Sequence, residues 1–203
     1  MASHPENEGN KGKDDPPTYS QDFQISNLSA RVPEKVARGV FSTGALILQG
    51  ATEFVLDFYL RMSQPHQVVA RVVLPIPIVP QFIDALAANL ENYRKTFGSP
   101  PPALPTPPVP PPAPPSIEEI YMDLKIPDEV LAGVYANRVM IAHTPAEFCF
   151  EFISNFYPKA VVVARVFLSA PQVPVLLKTL TGSWQNFQAK LQQPPPPRPP
   201  SAG

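Results

Sequence analysis

The sequence predicts an α+β protein: two tandem copies of one unit, each an antiparallel sheet of three to four strands followed by a C-terminal amphipathic helix, with the copies packed as a pseudo-dimer. The first observation behind this is a duplication. Sliding residues 33–97 onto 127–191, a shift of 94, needs no gap and aligns 19 identical residues in 65 positions, among them Gly39 with Gly133, Glu53 with Glu147 and Arg71 with Arg165. One description therefore serves twice. The second observation is a pair of long apolar runs around residues 53–60 and 68–74, repeated at 147–153 and 162–168, rich in the β-branched and aromatic residues that favour strands. The third is a helical stripe that closes each copy: Val79, Phe82, Ile83, Leu86, Leu90, Tyr93 and Phe97 recur with the same steps as Val173, Leu176, Leu177, Leu180, Trp184, Phe187 and Leu191.

Residues 1–22 carry Pro5, Gly9, Gly12, Pro16 and Pro17 among charged and polar residues, with too few apolar groups to offset ordering, and are expected to form a disordered arm. The first β-β-β-β-α repeat spans 23–98 and the second 117–191. Each is expected to begin with an edge-like strand, residues 23–32 and 117–126, the alternation being clearest in Tyr121-Met122-Asp123-Leu124-Lys125-Ile126. A short helical turn or bent connection, 33–39 and 127–133, then ends at a glycine, where a sharp change of direction is expected.

Residues 40–49 and 134–143 supply a second strand, and the third and fourth strands form a hairpin. With its connection near Ser63-Gln64-Pro65, residues whose numbers sum to 128 face each other: Phe54 with Leu74, Leu56 with Val72, Phe58 with Ala70 and Leu60 with Val68 on one face. The other face pairs Val55 with Val73, Asp57 with Arg71 and Tyr59 with Val69; the second copy repeats it as Cys149/Phe167, Glu151/Arg165 and Ile153/Val163. A slip of one residue would turn every side chain to the wrong face, so the matched pairs specify the register. Both faces read as apolar and one helix covers only one. The face of Phe54, Leu56 and Phe58 is expected under the helix of its own copy, and the face of Val55, Tyr59, Val69 and Val73 under another domain or subunit.

Between the copies, residues 99–116 hold eleven prolines, a composition that favours an extended spacer, and residues 192–203 form a second proline-rich tail expected to be disordered. Both contain PxxP spacings, for which the spacer role is preferred over that of a ligand for an aromatic groove.

At 203 residues and a net charge of -1, the chain is close to neutral, with six basic and five acidic residues in 33–98 and five and four in 127–191. A basic footprint for nucleic acid is lacking. The single cysteine, Cys149, excludes an intrachain disulfide and is expected to be a small buried strand residue. The N-terminal stretch lacks the apolar segment of a signal peptide, and the most apolar run is too short for the ~20 residues that span a bilayer, so the protein is expected to be cytoplasmic.

The segments Gly39-Val40-Phe41-Ser42, Glu53-Phe54-Val55-Leu56-Asp57-Phe58 and Val69-Ala70-Arg71-Val72-Val73-Leu74, and residues 86–93 ending in Asn92-Tyr93, resemble a family of short prokaryotic proteins labelled only as a domain of unknown function (DUF3467). Residues 116–191 resemble a second copy, with Gly133-Val134-Tyr135-Ala136-Asn137, Ile141-Ala142-His143-Thr144-Pro145-Ala146-Glu147-Phe148 and Arg165 in place. The first copy departs in having Gln49-Gly50 where the second has His143-Thr144. The resemblance implies no activity.

The sharpest polar features are Asp57 opposite Arg71 and Glu151 opposite Arg165, expected to be structural ion pairs that hold sheet register, with ligand binding as the alternative. His4, His66 and His143 have no acidic or thiol residues at metal-ligand spacing, and no Ser, Cys or Thr has a visible base partner, so no metal, cofactor or catalytic set is expected. The chain is therefore expected to be a non-enzymatic binding or assembly module acting through its sheet faces on a protein partner or itself. The alternative is a single-stranded nucleic-acid binder of whirly-like architecture, an analogy of fold alone.

Overall fold

A computed structural model describes residues 30–62, 64–102, 116–156 and 158–192. The proposed arm 1–22, most of the expected strand 23–32, linker residues 103–115 and tail residues 193–203 lie outside the described residues. Within the first repeat the order is α1 (Glu34–Ala37), β1 (Val40–Ser42), β2 (Gly44–Gln49), β3 (Glu53–Leu60), β4 (His66–Pro75) and α2 (Ile78–Phe97). The second adds α3 (Ile117–Met122), β5 (Leu124–Lys125), α4 (Asp128–Leu131), β6 (Val134–Tyr135), β7 (Arg138–His143), β8 (Glu147–Phe156), β9 (Lys159–Ser169) and, after a 3-10 turn at Ala170–Gln172, α5 (Val173–Leu191).

The architecture is α+β, but its sheets are mixed rather than purely antiparallel. The meanders β2-β3-β4 and β7-β8-β9 are antiparallel, and each is extended by strands from the other repeat running parallel to its last strand. Val40 pairs with Val166 through β1, and Val72 pairs with Val134 through β6. A parallel neighbour needs a long connection, which a hairpin within one repeat cannot supply and an exchange between repeats can. The expected single strand 40–49 is therefore corrected. It breaks at Thr43, with β1 in one sheet and β2 in the other. The buried Ser42 hydroxyl lies within hydrogen-bond reach of the carbonyls of Gly44 (2.6 Å) and Tyr59 (3.0 Å), satisfying backbone groups where the ladder ends. In the second repeat Asn137, the counterpart of Thr43, accepts from the Asn155 N–H at 2.7 Å and donates to its carbonyl at 3.2 Å.

A second correction concerns residues 117–126. Most of this expected strand is α3, because Ser116 and Glu119 form a capping box: the Ser116 hydroxyl accepts from the Glu119 N–H (3.2 Å) while the Glu119 carboxylate accepts from the Ser116 N–H (2.7 Å). Only Leu124 and Lys125 remain extended, parallel to the start of β4.

The hairpin register holds for Phe54/Leu74, Val55/Val73, Leu56/Val72, Asp57/Arg71 and Phe58/Ala70 and then shifts, so that Tyr59 faces Val68 and Leu60 faces Gln67. The second hairpin shifts at the equivalent point, giving Ile153/Val162 instead of Ile153/Val163. Each fourth strand carries one extra residue there, a β-bulge that sharpens the local twist.

Helix coverage is the largest correction. Each C-terminal helix packs over the other repeat. Phe82 of α2 makes edge contacts with Phe150 and Phe152, Tyr93 lies against Phe148, and Phe54 contacts Trp184 and Phe187 of α5. The Tyr93 hydroxyl donates to the Pro145 carbonyl at 2.7 Å. The sheets meet directly through Phe58 against Phe150 and Phe152, so the aromatic faces of both repeats fuse into one core. Truncating any of these buried phenylalanines to Ala would cost about 3–5 kcal/mol. A shared core suits units whose small size limits how much surface each can bury alone.

Candidate functional site

The polar chemistry gathers on the faces turned away from that core. Asp57 is fully buried, and Arg71 clamps it with two parallel bonds, Nε to Oδ1 and Nη2 to Oδ2, both at 2.7 Å. The remaining arm of the guanidinium, Nη1, donates to the Leu131 carbonyl of α4 at 3.1 Å. Arg165 repeats the plan: its Nε donates to Glu151 at 2.9 Å, and its Nη1 donates to the carbonyl of Ala37, the repeat equivalent of Leu131. Each arginine therefore joins an acid of its own sheet to the backbone of the other repeat.

This arrangement explains the two glycines. Gly39 and Gly133 adopt φ of 66° and 68°, the left-handed region that favours glycine, so that the chain can turn from the short helix into the exchanged strand. They also make room for the other repeat. A β-carbon on Gly133 would stand 2.8 Å from Cγ of Arg71, and one on Gly39 would stand 2.6 Å from the Phe167 ring.

The first centre carries a further group. The Tyr121 hydroxyl of α3 donates to Asp57 Oδ2, and the equivalent position in the first repeat is Asn27, outside the described residues. Burial, followed by the hydrogen bond to Asp57, pushes the Tyr121 phenol up to about 12. The bond to Asp57 raises the Arg71 pKa still further above its ordinary value, against an opposing effect of burial. Alternation along residues 121–126 hides Tyr121 from a sequence reading by favouring a strand; the Ser116-x-x-Glu119 spacing is the signal that places it on a helix.

Between the two arginines lies a cleft of about 380 Å³. Its walls are seven pairs of residues at the repeat spacing: Lys35 with Glu129, Val36 with Val130, Gly39 with Gly133, Val40 with Val134, Val69 with Val163, Ala70 with Ala164 and Arg71 with Arg165. The bulges contribute directly, since Val69 and Val163 are the extra residues skipped by the shifted registers. Chemically the cleft is an apolar trough with two arginines already committed to acids and one unlike charge pair, Lys35 and Glu129, at its walls.

The other face of the first sheet is covered in part. Tyr59 is only 8% exposed, with Arg61 donating to its hydroxyl at 2.7 Å, and the α3 segment lines one side of an open cavity of about 250 Å³ beside it. Val55, Val69 and Val73 are half-buried. Exposed aromatic surface is found instead at Tyr135 and Phe156, 44% and 49% exposed, whose rings stack with centroids 5.8 Å apart. Cys149 is half-buried, and burial raises its thiol pKa. His143 sits among Tyr93, Phe97 and Phe148. Among the described residues no group of three His, Cys, Asp or Glu is placed to hold a metal, and no helix is long and apolar enough to cross a membrane.

No curated protein and no solved structure matches the chain. A family model described as "Protein of unknown function (DUF3467)" matches twice, over residues 3–100 and 106–193, consistent with a tandem duplication of that domain. The chain belongs to the DUF3467 family and carries its domain twice.

Proposed function

We propose that the chain is a non-enzymatic, cytoplasmic binding module, an intramolecular pseudo-dimer in which each repeat completes the other's sheet, and that its binding site is the cleft between the repeats. The observation that carries this is the composition of the walls: seven residue pairs related by the repeat, mostly valine, alanine and glycine, lining an open cleft of about 380 Å³. That volume and apolar lining fit a small-molecule site. Asp57–Arg71 and Glu151–Arg165 serve as the struts that hold the cleft walls, consistent with a structural rather than a catalytic role. Catalysis would need an acid, base or nucleophile poised in the cleft. Its two arginines are engaged, and its remaining ionisable groups are Lys35 and Glu129.

A thermal-shift screen of small metabolites tests this, using the full chain beside Ala164→Phe, which fills the cleft. Ligands that raise the melting temperature of the parent should lose that effect in the variant, provided its circular dichroism is unchanged. Equal shifts in both proteins, or none in the parent, would overturn the assignment. Single-stranded nucleic acid remains a second reading because Tyr135 and Phe156 offer an exposed stacking pair. With repeats so near neutrality its affinity should stay at about 1–100 μM at physiological salt, and a nanomolar, salt-sensitive complex would replace the cleft by this surface.

A further inference from the structure

The cleft is nearly symmetric in shape but not in charge. Six of its seven wall pairs are identical residues, and the exception is Lys35 opposite Glu129. These two stand at matching positions on α1 and α4, which pack on β9 and β4 at the two sides of the cleft. Both are exposed, and among the described residues neither forms an ion pair with the other or with anything else. Arg71 and Arg165 are each paired with an acid, so they contribute little net charge to the trough. The polarity across the cleft is therefore set by one cation on one side and one anion on the other, with valines between.

Resting on the cleft assignment above, we propose that the ligand is a short linear zwitterion: a carboxylate that meets Lys35, an ammonium that meets Glu129, and an apolar spacer that lies on the valines. Complementary charge at the two ends favours that class over fatty acids or amines, which leave one wall charge unanswered. It also fixes direction, since reversing the ligand would set like charges together. Linear ω-amino acids and short apolar peptides both present this chemistry.

The near-symmetry supplies a test that a surface charge effect would not pass. Calorimetric titration of the full chain would use linear ω-amino acids of increasing length, the matching fatty acids and alkylamines, and apolar dipeptides. The best zwitterion should bind at least about tenfold more tightly than either single-charge analogue of its length, a difference of about 1.4 kcal/mol. Lys35→Glu and Glu129→Lys should each lose that advantage. The double reversal, Lys35→Glu with Glu129→Lys, should restore it to within about threefold, because the ligand can turn end for end in a cleft whose other walls match. Equal affinity for zwitterion and single-charge analogues, or failure of the double reversal, would overturn the proposal while leaving the cleft in place. Zwitterion binding that persists in Ala164→Phe would remove the cleft assignment as well. Dipeptides outbinding all ω-amino acids would identify the source as peptide, and the reverse order would identify it as a simple amino acid.

Discussion

The two arginine centres are built from one plan yet sit in different surroundings, and the difference teaches what duplication leaves free to drift. At the first, Asp57 is 0% exposed, held by two parallel bonds from Nε and Nη2 of Arg71, one to each carboxylate oxygen, and by the Tyr121 hydroxyl. At the second, Glu151 and Arg165 keep 25% and 21% exposure, and both of the guanidinium contacts go to one carboxylate oxygen. Shared by both is the third contact, from Nη1 to a carbonyl of the other repeat. What is preserved is the stitch between repeats; the depth of burial varies around it.

The sharpest way to break the comparison is to remove each arginine in turn. Arg71→Ala strands a fully buried carboxylate and should cost about 3–5 kcal/mol in a denaturant melt. Arg165→Ala leaves Glu151 in reach of water and should cost about 1–2 kcal/mol, between the exposed and buried ranges. Equal losses would mean that the stitch to the opposite carbonyl, rather than burial of the acid, dominates both centres.

The glycines come next. Gly133→Ala forces a left-handed alanine against Arg71, and Gly39→Ala does so against the Phe167 ring and Arg165. The backbone strain alone is about 1–2 kcal/mol, and the crowding adds to it. Gly39→Ala should be the worse of the two by thermal melting, because an aromatic ring yields less readily than an arginine stem. The opposite order would show that displacing Arg71 from Asp57 outweighs displacing the ring.

Tyr121→Phe removes a single hydroxyl from the first centre, at a position where the first repeat has Asn27. Losing a hydrogen bond to a charged, buried acceptor should cost about 1.5–3 kcal/mol at neutral pH. The pH dependence follows from the raised phenol, about 12 when folded against an ordinary 10.0. The folded state keeps this proton where the unfolded chain has lost it, so its contribution is complete below pH 10 and is lost as the pH rises toward 12. Stability of the parent should fall through that window more steeply than that of Tyr121→Phe, and parallel curves would show that the hydroxyl does not hold its proton for Asp57.

Much of this could be read from the residues in order. The pairing of Phe54 with Leu74 and of Asp57 with Arg71 follows from alternation, because a strand's side chains have period two and only one register buries the apolar set. The helical stripes were legible for the same kind of reason: Val79, Phe82, Leu86, Leu90 and Tyr93 are buried as their spacing requires. The bulges were not, since the extra Val69 is as apolar as its neighbours and an apolar run carries no mark of where a register slips. The helix α3 was legible only through its capping residues, Ser116 and Glu119, which outweigh the alternation of residues 121–126.

The sequence by itself determined the duplication, legible as repeated text, and the hairpins, the amphipathic helices and the acid opposite each arginine, which rest on contacts between residues close in the chain. Only the tertiary structure decided which repeat each element would serve. β1 lies in the sheet of the second repeat, β6 in that of the first, and α2 and α5 each cover the other's phenylalanines. The reason is physical: with two nearly identical partners in one chain, a strand or helix meets the same hydrogen-bonding edge and the same apolar surface in either copy, so its local pattern is satisfied both ways. The choice falls to long-range packing, where exchange closes both sheets around one core and opens the cleft between them.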